Sequence, residues 1–422
     1  MRTRFLLCLF FAFFSFSVTE AQVALPGFDK EVKAFMKRWQ IPGGTLALVK
    51  DGQLLYTQAY GQADTGIPTQ PTHLFRIASL SKPITSLAVL KLKEQGKLKL
   101  TDKVFGPKGI LNTPEYAFTD PRVSKITVRH LLEHRAGWNR ATNIHGDPMF
   151  NAIYIAHVMN VPAPANTKTI IRYVLSKRLD FSPGTKFAYS NIGYAVLGRV
   201  IEQLSGLSYE QYVQENILQP VGITDMRLAH NYYNDKTPGE VKYYEEEDSE
   251  PVPDIKDEHQ LVPFPYGGFN IEAMDANGGW LASAPDLAKL LAAIDGLDNK
   301  PDILAPTELT QMFKPGGPNR TYALGWMVNR YGSAWHTGSL PGSSTLMARL
   351  PDGAAWVVLF NGRHDSPIYF SDLDDLMWRA LHRVRNLPIQ DLFMSPIIAK
   401  KITVEEEPDT SIPGQLPAEV NN

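Results

Sequence analysis

Apolar positions repeat along the chain with two periods, and the switches between them outline the fold. Residues 28–40 carry Phe28, Val32, Phe35 and Trp39 on one helical face. Residues 45–49 and 54–60 read as two strands, and Asp51-Gly52 between them is a strong hairpin turn. A short β-like run, 74–77, feeds a helix with Ile84, Leu87, Ala88 and Leu92 at helical spacing, which stops near Gly96. From about residue 97 to 265 helical patterns dominate, at 128–133, 169–179, 192–204 and 209–218, separated by loops rich in Pro, Gly and Asn. Strand patterns return at 322–329, 343–350 and 355–361, the last two joined by Pro351-Asp352-Gly353. A helix is expected over 369–382.

Strands at both ends of the chain, with helices between them, predict an α+β fold. One antiparallel sheet, flanked by helices, is assembled from both ends. A mainly helical region is inserted beside it, with a cleft at the junction. The domain is expected over 22–398, its α/β part at about 22–96 and 278–398 and its helical insertion at about 97–277. Residues 239–260 include Glu245-Glu246-Glu247-Asp248 and read as a solvated surface loop, with a lid over the cleft as the alternative.

The two ends of the chain differ from the rest. Met1-Arg2-Thr3-Arg4 is basic, residues 5–18 are apolar and rich in Phe, and Thr19-Glu20-Ala21 ends in a small residue. This is the pattern of a secretory signal peptide over 1–21, so the protein is expected to be exported, periplasmic or secreted. Cys8, the one cysteine, lies inside that segment; its removal leaves neither a disulfide nor a catalytic thiol. Residues 399–422 are polar and contain proline, the composition of a flexible tail. The formal net charge of −2 argues against nucleic acid as a partner, and no apolar run after the signal is long enough to span a bilayer.

Candidate chemistry gathers in three places. Ser79 sits where the β-like run ends and a helix begins, and Lys82 follows it by one turn on the same face. A hydroxyl, an amine able to take its proton, and the unpaired N–H groups of a helix start make a nucleophilic centre. Pro83 lacks an N–H and fits a first helical turn. In Tyr189-Ser190-Asn191 an extended run enters a helix, so Tyr189 and Asn191 face one side. A phenol with a lowered pKa is a general base, and a carboxamide can hydrogen-bond a substrate amide. His336-Thr337-Gly338-Ser339 lies just before a predicted strand, and Gly338 permits close backbone approach. His130-Leu131-Leu132-Glu133-His134 matches an inverted zinc-protease signature, but no third ligand stands out downstream. A Gly-x-Ser-x-Gly elbow is missing, which counts against the α/β-hydrolase fold.

Together these motifs resemble the serine β-lactamase and penicillin-binding-protein family, in particular its class C-like branch of β-lactamase-related hydrolases, esterases and D,D-peptidases. Ser79-Leu80-Ser81-Lys82 is similar to its Ser-x-x-Lys box, Tyr189-Ser190-Asn191 to its Tyr-x-Asn box and His336-Thr337-Gly338 to its Lys-Thr-Gly box. The stretch 126–134 looks like the helix after the first box, which replaces the zinc reading, and 278–287 like a glycine turn before a helix. The resemblance covers about 28–384. It implies acyl transfer without metal or cofactor, on a small ester, amide or peptide substrate. Ser79 attacks, Lys82 and Tyr189 share proton transfer, Asn191 orients the acyl side, and the N–H groups of Ser79 and Ser339 hold the oxyanion. His336 departs from the family's lysine. Histidine is mostly neutral near pH 7, so esters and amides are favoured over carboxylate-bearing β-lactams or D-Ala-D-Ala peptides. A D,D-carboxypeptidase or weak β-lactamase is the alternative, and a non-catalytic penicillin-binding or sensor module a second one.

Overall fold

The computed structural model describes residues 23–395; the expected signal peptide and the tail from 399 lie outside the described residues. Strands β1 (Gly43–Lys50), β2 (Gln53–Asp64), β3 (Ile67–Pro68), β4 (Met327–Val328), β5 (Ala334–Leu340), β6 (Ser343–Arg349) and β7 (Ala354–Phe360) form one sheet in the order β3-β2-β1-β7-β6-β5-β4. Every pairing is antiparallel, and β1 from the N-terminal part pairs with β7 from the C-terminal part, with Leu46 opposite Val358. The β1–β2 turn is the expected one: Asp51 and Gly52 both take positive φ, 50° and 73°, as a tight hairpin of this hand requires.

The central strands are apolar on both faces because both faces are covered. Leu46 and Leu48 of β1 and Val358 and Phe360 of β7 meet helix α1 (Pro26–Arg38), whose Phe35 stacks on Phe360 at 5.5 Å. The alternate residues Ala47, Val49, Val357 and Leu359 join a much larger core on the other side. That core includes helix α2 (Ser81–Glu94), helix α3 (Asn191–Ser205) and helix α4 (Ala284–Ala292). Helix α5 (Tyr369–Leu381) packs with α1 on the first face. The mixed helix and antiparallel-sheet architecture expected from the sequence is thus present, and the inserted region shares the core of the sheet. Among the described residues no helix is long and apolar enough to cross a membrane.

Three expectations change. Only Met327–Val328 of the run 322–329 is a strand, since Tyr322 to Leu324 turn inward to a buried position instead. The His336 box does not precede a strand; it is the middle of one, β5, whose Ala334, His336, Gly338 and Leu340 face inward while Trp335, Thr337 and Ser339 are half-exposed. Its glycine and the following Pro341-Gly342 give this segment the composition of a turn. Pairing with β6 overrides that local preference. The acidic stretch is also not a plain solvated loop. Glu240, Val241 and Tyr243 are buried, and Glu240 Oε1 lies 3.4 Å from Nε of the buried Arg76. Tyr243 accepts the Arg76 N–H at 2.7 Å. The segment therefore buttresses the run that leads to Ser79.

Candidate active site

Ser79 stands at a turn held from several sides. Phe75–Arg76 pairs with Trp280–Ala282, and the Ile77 N–H bonds to the Trp280 carbonyl at 2.9 Å. Hydroxyls of β6 take the other side: Ser343 donates to the Arg76 carbonyl at 2.6 Å and Thr345 to that of Ile77 at 3.0 Å. Ala78 then adopts φ of 51°, an unfavourable conformation for a residue with a Cβ, and a short 3-10 turn, Ala78–Leu80, leads into α2. Pro83 falls in the first turn of α2, as its missing N–H allows. Ser79 is left half-buried at the edge of a cavity of about 300 Å³.

The structure brings the three boxes together around that cavity, which Ser79, Tyr189, Asn191, His336, Thr337 and Ser339 all line. Lys82 lies beneath, fully buried. Its Nζ is 3.0 Å from Ser79 Oγ and donates to the Asn277 carbonyl at 2.7 Å. Burial holds this amine well below the usual lysine value; Asp147 pulls it back up and Arg140 pushes it further down. A lowered pKa makes the amine easier to hold unprotonated, which suits it to take the Ser79 proton. The ring of Tyr189 lies 5.0 Å from Nζ and that of Tyr194 5.7 Å, two aromatic faces that stabilise the ammonium once it forms.

Tyr189 behaves otherwise than expected. Burial raises its pKa above the ordinary phenol value, and the neighbouring Ser79 side chain and Arg140 only partly oppose this. The phenol keeps its proton at neutral pH, where it can act as a donor or relay. His134 supports it from behind. The two rings are 4.3 Å apart, and His134 Nδ1 accepts the Ser190 N–H at 3.1 Å. The other residues of the apparent zinc signature also bond within the protein. Nδ1 of His130 accepts from the Thr127 N–H in a helix cap, and Glu133 pairs with Arg129 at 3.0 Å and Arg135 at 2.5 Å.

His336 is buried, with Nδ1 2.6 Å from the Thr337 carbonyl and Nε2 3.1 Å from the Tyr322 hydroxyl. A carbonyl only accepts, so Nδ1 carries the proton and Nε2 accepts from Tyr322. Burial, followed by the neighbouring Lys82, brings its pKa down to about 3. The third box thus presents a neutral imidazole. Gly338 is needed for approach: a Cβ there would lie 2.5 Å from the Ile77 carbonyl oxygen, so only glycine lets β5 pass this close to the Ser79 turn. Beyond Trp335 the outer edge of β5 has no strand partner among the described residues, since β4 pairs only with Ala334 and Trp335.

Several residues at the site escaped sequence reasoning. Asp147, half-buried with a side chain 9% exposed, accepts from Asn191 Nδ2 at 2.8 Å; desolvation raises its pKa, opposed by the Met149 N–H, Arg140 and Lys82. Arg140 lines the cavity, and Arg363 reaches the Ser339 hydroxyl at 3.3 Å. Asn277 contributes the carbonyl that holds Lys82. Only Asn277 had a sequence signal, its place directly before the Gly278-Gly279 turn. Asp147, Arg140 and Arg363 come from loops with no pattern of their own.

A helix-flanked antiparallel sheet carrying a serine beside a buried lysine defines a serine hydrolase of the β-lactamase/transpeptidase fold. The family model "Beta-lactamase" matches residues 28–375, and the chain belongs to that family. It is 24% identical over 345 residues to penicillin-binding protein 4* of Bacillus subtilis (strain 168), covering 77% of this chain and 69% of that protein. Among solved structures it is similar to EstCE1, a hydrolase with promiscuous acyltransferase activity (TM-score 0.64, 23% identity, 83% of this chain and 98% of that one). It is also similar to a beta-lactamase/D-alanine carboxypeptidase from Pseudomonas syringae (TM-score 0.63, 19% identity, 85% and 99%).

Proposed function

We propose that this chain is an exported serine hydrolase that cleaves small ester or amide substrates through an acyl-enzyme on Ser79. The observation that carries the reading is the 3.0 Å contact between Ser79 Oγ and a buried Lys82 amine that has no ion-pair partner among the described residues. Lys82 takes the hydroxyl proton as Oγ attacks the carbonyl carbon, and the new oxyanion meets the N–H groups of Ser79 and Ser339. Tyr189, which holds its proton, passes it to the leaving oxygen or nitrogen and recovers it from Lys82. Water then attacks the ester with the same groups in reverse. Neutral His336 favours substrates without a carboxylate at this end of the cleft.

The test is an activated ester such as p-nitrophenyl acetate together with a fluorophosphonate probe. Wild type turns over the first and is labelled by the second; Ser79→Ala does neither. Equal behaviour of the two proteins overturns the reading. Export is checked by recovering the protein outside the cytoplasm with its N-terminus at residue 22; recovery of unprocessed protein from the cytoplasm alone overturns it.

A second reading, D,D-carboxypeptidase or weak β-lactamase action, draws on Arg363. Its guanidinium, 3.3 Å from the Ser339 hydroxyl, supplies positive charge that His336 does not. Under this reading Arg363→Ala raises KM about tenfold for a carboxylate-bearing substrate such as nitrocefin, the loss of one charge-assisted hydrogen bond, and leaves neutral esters unaffected. No turnover of nitrocefin or of a D-Ala-D-Ala peptide by wild type removes it.

A further inference from the structure

Tyr189 and Asn191 line the Ser79 cavity, and Ser190 between them does not. Ser190 is extended, with φ of −143° and ψ of 117°, so its side chain faces away from those of its two neighbours. It lines a second cavity, of about 230 Å³, which adjoins the first at Arg140, a residue that lines both. Trp138, Tyr173, Val174 and Ile192 line the second cavity with Ser190, and all five are buried. The Ser190 hydroxyl makes no hydrogen bond among the described residues. Lys177 and Arg178, both exposed, add positive charge to that of Arg140 at the same cavity. The two carboxylates there are engaged elsewhere. Asp180 accepts from the Asn139 N–H at 2.8 Å and the Thr142 hydroxyl at 2.7 Å, and Asp147 from Asn191 at 2.8 Å and the Met149 N–H at 3.0 Å. Among the described residues neither Lys177 nor Arg178 has an ion-pair partner; Lys177 Nζ lies 4.8 Å from the Tyr173 ring.

A buried aromatic and aliphatic floor with one free hydroxyl, beside cations that no carboxylate neutralises, is the complement of a small amphiphilic anion. We propose that this cavity is a second ligand site, which takes a small carboxylate with an aromatic or branched apolar body and acts on the Ser79 cavity through Arg140. The volume lies below the roughly 300–1,000 Å³ of drug-sized sites, which suits a single ring on a short arm. A guanidinium meets a carboxylate with two parallel N–H bonds, and Arg140 and Arg178 each bring one. Arg140 carries the effect across. Its guanidinium lies 5.2 Å from the Tyr189 ring and 3.9 Å from Asp147, which in turn holds Asn191. An anion in the second cavity competes with Tyr189 for that guanidinium. It also offsets the charge with which Arg140 pushes Lys82 down. Both effects slow turnover. The site itself goes beyond the serine-hydrolase reading, and only its effect on turnover rests on that reading. Hydrolysis of an ester or amide releases a carboxylate, the class of ligand this cavity takes.

The test separates binding from turnover. Calorimetry on the full chain compares 3-phenylpropionate with 3-phenylpropanol, which keeps the ring and loses the charge. The carboxylate is expected to bind about three- to tenfold more tightly, the worth of charge-assisted contacts to exposed cations. Lys177→Met combined with Arg178→Met, both at exposed positions, is expected to bring the two ligands to within about twofold of each other. Equal affinity of the two ligands for wild type overturns the proposal whether or not the variant folds. An undiminished preference in the variant overturns it too, because the carboxylate then binds elsewhere. With p-nitrophenyl acetate as substrate, saturating 3-phenylpropionate is expected to lower kcat and leave KM unchanged. Purely competitive inhibition puts the ligand in the Ser79 cavity and overturns the proposal, and unchanged turnover overturns the action through Arg140. Failure of the serine-hydrolase reading appears elsewhere, as ester turnover that survives Ser79→Ala, and leaves the calorimetric comparison to decide the second site.

Discussion

Two basic side chains, Arg76 and Lys82, flank Ser79 in the sequence, and both are completely buried. Arg76 has partners on several sides. Glu240 lies 3.4 Å away, the carbonyls of Pro265 and His230 accept at 2.6 and 2.8 Å, and the rings of Tyr243 and Tyr266 lie 4.5 and 5.3 Å from its guanidinium. Lys82 has a carbonyl, a hydroxyl and two aromatic faces, but no ion-pair partner among the described residues. A buried cation with a carboxylate and hydrogen bonds keeps its charge and ties segments together. A buried amine without one has its proton affinity lowered, which suits it to act as a base. Equal burial therefore goes with a structural tie on one side of Ser79 and, in the proposed reaction, a base on the other.

The contrast can be broken most directly at Lys82. Lys82→Arg puts a permanent cation where a neutral amine is required, and kcat/KM on an activated ester is expected to fall by on the order of 10²–10⁴, the worth of a general base. Retained turnover by a variant with a native circular dichroism spectrum would end the argument for a neutral amine. At Arg76 the expected effect is on stability. Arg76→Met strands Glu240 and costs about 3–5 kcal/mol in urea unfolding, and adding Glu240→Gln returns part of it. Equal stability of single variant and wild type would show that the pair ties nothing.

A smaller effect tests the surface that brings β5 to the nucleophile. Gly338→Ala sets a Cβ against the Ile77 carbonyl and the Thr345 hydroxyl, and is expected to cost about 1–3 kcal/mol along with ester turnover. The smallest concerns His336. Its pKa is about 3 in the folded protein and 6.5 when free, so between these values the unfolded chain binds more protons. Stability therefore rises with pH across that window and is lost as pH falls through it, by at most about 1.4 kcal/mol per pH unit for one group. Comparing urea unfolding at pH 5 and pH 7, His336→Gln is expected to show a shallower rise than wild type. An identical rise would mean that His336 does not titrate as a buried neutral group.

The parts legible in the sequence are those whose chemistry is local. Ser79 and Lys82 are one helical turn apart, Tyr189 and Asn191 two residues apart, and Asp51-Gly52 needs only its own backbone to turn. Helix and strand periodicity placed α1, α2, α3, β1, β2, β6 and β7 closely, because each buries a regular apolar face. Strand β5 was less legible. Its inward face consists of Ala334, His336, Gly338 and Leu340, too little apolar surface to stand out, and it becomes a strand through pairing with β6. The burial of Glu240 was hidden for a related reason. Its partner Arg76 is distant in sequence, and nothing near either residue marks them as a pair.

By itself, then, the sequence determined the three boxes, the two-ended sheet and the neutral character of histidine near pH 7, since each follows from side-chain identity and short-range geometry. Tertiary structure alone decided how far the proton affinities move. Packing around Lys82 and His336 lowers their proton affinity, and the desolvation of the half-buried Tyr189 raises that of its phenol. It also decided that Asp147 bonds Asn191 and that Asn277 holds Lys82, contacts that arise only when segments far apart in the chain close around one site. Proton affinity depends on the dielectric and the charges within a few ångströms, and those neighbours come from segments far apart in the chain.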